Sequence, residues 1–139
     1  MPSKIILRTI GSSVNLIGFF SAVLAGKIAF YLFAKPRKGK PTLSQNEFLN
    51  SSDKMFIENI PHHIPVYTWN IKGTETVLLI HGWESNSARW QPLIQKLIAL
   101  NFKVIAIDAP AHGNSKYKTF NAILYAQHIN KTIKAYSPY

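Results

Sequence analysis

Two short aliphatic runs, each stopped by a polar corner, constrain this chain more than anything else in it. The first is TVLLI, Thr76 to Ile80, which runs into His81-Gly82-Trp83. The second is KVIAI, Lys103 to Ile107, which runs into DAPAHGNS. Continuous apolar runs of this length are expected for strands buried on both faces. Between them, residues 88–100 carry Trp90, Leu93, Ile94, Leu97, Ile98 and Leu100 at helical spacing. Ser87 is the expected cap, and Pro92 falls in the first turn, where its missing N–H costs little. Asn101 stands where a helix ends in the left-handed conformation that Asn tolerates. Residues 76–107 therefore spell strand, helix, strand, a unit that is normally parallel and right-handed.

In a parallel α/β sheet, ligands bind where strands end at their carboxyl edge. Both corners lie at such ends. Gly82 is expected to let the backbone leave its strand sharply and to let another group approach closely. A loop turning here can aim main-chain N–H groups at a reacting oxygen, where preorganised donors stabilise the charge of a tetrahedral intermediate.

With the helix between them, VLLIHGW and VIAIDAPAHGNS resemble the front half of an α/β-hydrolase catalytic domain, over about residues 65–136. The resemblance implies that the backbone N–H of Trp83 belongs to an oxyanion hole. It implies that His81 and Gly82 form the oxyanion-loop motif, with His81 shaping the loop rather than exchanging protons. Trp83 has a plainer alternative, an aromatic lining a cleft. The second corner resembles the family's Asp-x-x-Gly-x-Gly-x-Ser pattern, but Ala111 and His112 stand where glycine and a variable residue are common. Asp108 is then structural, bonded to its own loop, and Ser115 is not a nucleophile. His112 is expected as a loop residue beside the cleft, Glu84 as a solvated carboxylate or a substrate contact, and Trp90 as core.

The family's nucleophile sits in Gly-x-Ser-x-Gly after the next strand, with the acid and histidine later still. No such motif occurs in these residues; GNSKY at 113–117 lacks the second glycine. The expectation is an N-terminal fragment of a serine-type hydrolase acting on acyl esters, inactive alone because the triad is absent. The alternative is a membrane-tethered, non-enzymatic interaction module built on a degenerate half-domain. The substrate implied for a complete protein is a small-molecule or lipid-like acyl ester. No metal or organic cofactor is implied. A sheet stopping here would leave the second buried strand with an unpaired edge.

A length of 139 residues suits one domain or part of one, and 47% hydrophobic residues suffice for a core. The absence of cysteine excludes disulfides, zinc-thiolate sites and a thiol nucleophile. The net charge of +10 is unevenly placed: residues 1–40 hold seven bases and no acid, leaving +3 for the rest. This is not the spread basic face of a nucleic-acid binder, and nucleic acid is set aside as a partner. Anionic lipid is the expected partner of AKPRKGK.

Thr9 to Gly26 is uncharged over 18 residues, the lower edge of a membrane span. On a helical wheel Lys4, Arg8, Ser12 and Asn15 share one side, and the remaining arc is aliphatic and aromatic. Three readings stay open: a surface helix on the fold or in a bilayer interface, a true span, and a cleaved signal peptide. The expected location is cytoplasmic, or peripheral or anchored at the cytoplasmic face of a membrane. Pro36 to Pro41 is expected as a linker.

SQNE, Ser44 to Glu47, has a capping-box pattern for a short helix, and Pro65 to Ile71 alternates as a strand. A last helix is expected over about 120–136, burying Ile123, Ala126, Ile129, Ile133 and Tyr136 and exposing His128. His62 and His63 are read as surface residues. The predicted architecture is α/β: the N-terminal portion of a mostly parallel α/β-hydrolase sheet, preceded by an apolar N-terminal helix. Residues 1–40 form the helix and linker, and residues 41–139 an incomplete domain.

Overall fold

A computed structural model describes residues 4–37, 39–56 and 64–136, with the backbone alone at 54–56. His62 and His63 lie outside the described residues. The chain divides into two compact units, residues 1–35 and 36–139.

The first unit is two helices rather than one: α1, Lys4–Phe20, and α2, Ala22–Phe33. The break falls at Ser21, which is extended at φ −155° and caps α2 by accepting the Leu24 N–H. A Cβ added at Gly18 would touch the Ala25 Cβ at 3.6 Å. Seven residues of straight helix rise about 10.5 Å, so the chain folds back at Ser21. Among the described residues, no helix is long and apolar enough to cross a membrane. Of the three open readings, the true span is not met by these helices: the break at Ser21 leaves lengths of 17 and 12 residues.

The second unit opens with the segment expected as a linker, Pro36 to Pro41, of which Gly39 and Lys40 are bonded to the folded unit. Gly113 N–H donates to the Gly39 carbonyl at 2.9 Å, and Lys40 Nζ donates to the Gly113 carbonyl at 2.8 Å. Helix α3, Leu43–Asn50, follows. Its capping box starts two residues earlier than expected: Thr42 is the cap and Gln45 the reciprocating residue. Strand β1, Asp53–Phe56, pairs antiparallel with β2, Pro65–Trp69. Strand β2 stops short of Ile71 because Asn70 turns left-handed, at φ 51°.

Next come β3, Glu75–Ile80, a 3₁₀ turn at Ser87–Trp90, α4 at Gln91–Ala99, β4 at Phe102–Ile107, and α5 at Ala122–Tyr136. The turn before α4 is capped by Asn86, which accepts the Ala88 N–H at 3.0 Å, and not by Ser87. Asn101 closes α4 at φ 64°, the left-handed ending predicted for it.

The sheet order is β1-β2-β4-β3. Only β3 and β4 are parallel; β2 pairs antiparallel with both β1 and β4. Among the described residues the sheet is therefore mixed, not mostly parallel. Strand β4 is central and β3 lies at the edge, so the unpaired edge belongs to the first aliphatic run and not the second. Edge position also explains why β3 is only half-buried.

Period-two alternation builds one core on each face. Tyr67, Trp69, Val104 and Ala106 face one way, with Leu49 and Ile94 of α4. Val66, Ile105 and Ile107 face the other, with Tyr125 of α5.

Candidate active site

Strand register decides where the two corners fall. Ile80 pairs with Ile107, so His81 and Asp108 leave the sheet side by side. Both are buried.

The His81 Nε2 accepts the Ala109 N–H at 2.9 Å. An imidazole nitrogen that accepts an N–H carries no proton, so the proton sits on Nδ1 and is donated to the Gly82 carbonyl at 2.8 Å. Burial lowers the His81 pKa, outweighing the Gly82 carbonyl and Asp108, which act to raise it. With Nε2 unprotonated, its 3.7 Å approach to Asp108 Oδ1 is not an ion pair.

His112 reciprocates from the second corner. Its Nε2 accepts the Glu84 N–H at 2.9 Å, and its Nδ1 donates to the Pro110 carbonyl at 2.9 Å. Each corner thus contributes one histidine that receives a main-chain N–H from the other. The expected loop position beside the cleft becomes a buried cross-corner contact.

Asp108 adds a third connection and reaches beyond its own loop. Oδ1 accepts the Ser87 N–H at 2.9 Å; Oδ2 accepts the Asn114 N–H at 2.8 Å and the Tyr67 hydroxyl at 3.1 Å. Close packing at this carboxylate dictates Gly113: a Cβ there would lie 2.1 Å from Asp108, and its φ is +51°. Ala111, where the family pattern has glycine, is also left-handed, at φ 64°. Gly82 differs from the expectation. It has no left-handed φ, and the space its Cβ would fill is open to 4 Å. Its lack of a side chain leaves room beside the corner rather than permitting the turn.

The Trp83 indole packs edge-on against His112 and Phe120, with centroids at 5.0 and 5.3 Å, and is 39% exposed. Glu84 is not a freely solvated carboxylate: its Oε1 accepts the Arg37 N–H at 3.0 Å. Ser115 is buried, and its Oγ accepts the Tyr117 N–H at 3.3 Å. Trp90 packs against the core on the α4 face.

Sequence reasoning missed several supporting residues. The Tyr125 hydroxyl donates to the His81 carbonyl at 3.1 Å. Asn114 Nδ2 donates to Tyr67 Oη and Asn46 Oδ1, both at 3.0 Å. His128, expected exposed, is buried beside Tyr117, with Nε2 3.2 Å from its hydroxyl. The available signal was the spacing of Tyr125, His128 and Thr132, which lie on one helical face. Among the described residues, no three His, Asp or Glu side chains gather where they could hold a metal ion.

A mixed sheet with this order, a parallel strand–helix–strand unit and paired corners at its carboxyl end defines an α/β-hydrolase-type scaffold. Over part of its length the chain is similar to enzymes of the α/β-hydrolase fold. It is 34% identical over 50 residues to pimeloyl-[acyl-carrier protein] methyl ester esterase of Vibrio vulnificus (strain CMCP6), and 36% identical over 50 residues to that of Vibrio atlanticus (strain LGP32). Each match spans 35% of this chain and only 19% of the relative. No family model matches.

Among solved structures, the thioesterase domain from the curacin biosynthetic pathway superposes with a TM-score of 0.55 at 23% identity, covering 62% of this chain and 32% of that one. The Pyrococcus furiosus esterase Pf2001 superposes at 0.54 and 22% identity, covering 75% and 44%. These structural likenesses establish the fold alone.

Proposed function

We propose that this chain carries the oxyanion side of an ester-hydrolysing site. The main-chain N–H of Trp83 donates to the carbonyl oxygen of a small or lipid-like acyl ester as negative charge builds on it. His81 holds the corner through its contact with Ala109 and does not exchange protons, while Gly82 leaves room for the acyl group. The observation that carries this reading is the in-register ending of β3 and β4, locked by the reciprocal histidine contacts. A corner fixed before substrate arrives has no reorganisation to undergo in the transition state, which is what makes such donors effective. The esterases matched in sequence support acyl-ester chemistry.

The nucleophilic serine, its acid and its histidine would come from outside these 139 residues, since none of them forms Gly-x-Ser-x-Gly. The chain by itself is then inert, and a serine-reactive phosphonate leaves it unmodified.

A chimera tests the oxyanion role. Residues 65–136 replace the matching part of an active esterase of this fold, and hydrolysis of a p-nitrophenyl ester is followed. Trp83→Pro, which removes the N–H, is expected to lower kcat by roughly 10²–10³-fold. Trp83→Ala, which keeps it, leaves kcat nearly unchanged. Equal losses in both variants, or none in either, would contradict the main-chain role, as would covalent labelling of the unfused chain.

A further inference from the structure

The first unit presents a surface that the hydrolase reading does not use. Between Asn15 and Lys27 the chain carries no charge, and the fold-back at Ser21 lies at the middle of this stretch. Phe19, Phe20 and Val23, beside the fold-back, are 85%, 80% and 71% exposed. Leu16 and Leu24 are exposed as well. Only Ala25 of this stretch is buried. Exposed apolar side chains also continue along both helices, with Ile5 at 75% and Phe33 at 64%, and such a surface is costly unless something covers it.

We propose that this fold-back is a shallow wedge that enters one leaflet of an anionic bilayer from a single side. Asn15 and Lys27 each lie six residues from Ser21, about 9 Å along a helix. That matches the depth of about 5–10 Å to which amphipathic helices bury their apolar face in the headgroup and acyl boundary. Beyond that depth charged and hydroxyl groups interrupt the apolar surface, Arg8, Thr9, Ser12 and Ser13 on α1 and Lys27 on α2, while Ile5, Phe30 and Phe33 are also exposed.

Charge selects the occupant. Residues 1–35 hold Lys4, Arg8, Lys27 and Lys35 and no acid. Such a unit repels a second copy of itself and is drawn to acidic headgroups. The helices are too short and too often interrupted by polar residues to span, and a wedge requires no span.

The absence of cysteine makes the test direct. In the 139-residue chain, Phe20→Cys or Lys4→Cys is labelled with an environment-sensitive fluorophore. Vesicles of phosphatidylcholine mixed with phosphatidylglycerol are compared with phosphatidylcholine alone, each carrying quenchers along the acyl chain or at the headgroup. The label at position 20 is expected to be quenched from the acyl chain and that at position 4 only from the headgroup, with binding favouring the anionic vesicles. Phe19→Ser/Phe20→Ser is expected to weaken binding by roughly tenfold or more, with helical circular dichroism in buffer confirming that the chain stays folded.

Binding that ignores lipid charge, a position-20 label left unquenched, or a double variant that binds equally well would overturn the proposal. Concentration-dependent burial of that label without vesicles would overturn it in favour of a second copy.

Discussion

At the residue scale, the two corners are tuned by backbone conformation and by the protonation of one buried imidazole. Ala111 and Gly113 are both left-handed, but only Gly113 is also pressed against Asp108. Gly113→Ala is therefore expected to destabilise the fold by at least about 2 kcal/mol. Ala111→Gly is expected to stabilise it by about 0.5–1 kcal/mol, because relief of the left-handed penalty exceeds the added freedom of the unfolded glycine. Urea unfolding of the two variants checks both signs. His81 supplies a pH dependence. Its folded pKa lies below its unfolded value, so below about 6.5 the unfolded chain binds more protons. The stabilisation is fully present above that pH and is lost as pH falls toward the folded pKa. Burial, followed by Lys131, lowers the His128 pKa in the same direction. The urea midpoint should fall between about pH 6.5 and 5, before most carboxylates titrate, and His81→Gln should flatten part of that slope. A midpoint constant across this window would contradict the neutral, N–H-accepting His81.

At the element scale, α5 shows what aliphatic periodicity leaves out. The sequence points to a buried face of Ile123, Ala126, Ile129, Ile133 and Tyr136. The helix packs Ile129 and Tyr136 against the core as expected, but its buried residues are Tyr125, His128 and Thr132, while Ile123, Ala126 and Ile133 are exposed. Two hydroxyls on the buried stripe find partners, Tyr125 on the His81 carbonyl and Thr132 Oγ1 on the His128 carbonyl at 2.9 Å, while His128 Nδ1 has no hydrogen-bond partner among the described residues. Tyr125→Phe is expected to cost about 0.5–1.5 kcal/mol, while Ile123→Asn stays within about 0.5 kcal/mol. Chemical denaturation distinguishes them, and the reverse order would refute the assigned face. Strands β3 and β4, their parallel pairing and the corner after each were legible because buried aliphatic runs and turn residues are local signals. The partner of Glu84 and the α5 stripe were not, because each depends on contacts far apart in sequence, and the capping box was misplaced by two residues because Thr42 and Ser44 compete as local caps. Strand β2 was visible, but its antiparallel pairing with the central strand was not, since alternation carries no direction.

At the scale of the whole molecule, the chain joins an apolar, basic helical hairpin to an α/β unit whose strand ends bring two distant loops together. Helix α4 covers one face of the sheet and α5 the other, leaving the β3 edge unpaired among the described strands. The account rests on the two corners forming one rigid unit, joined by Ala109 N–H to His81 and by Glu84 N–H to His112. Both are N–H···N hydrogen bonds, which transmit scalar coupling between the two nitrogens. A trans-hydrogen-bond nitrogen–nitrogen correlation experiment on the ¹⁵N-labelled chain should give a cross-peak from the Ala109 amide to His81 Nε2, and a second from the Glu84 amide to His112 Nε2. Amides at 84 and 109 that exchange rapidly with water and show neither correlation would mean that the corners move independently, and the preorganised oxyanion site would have no support.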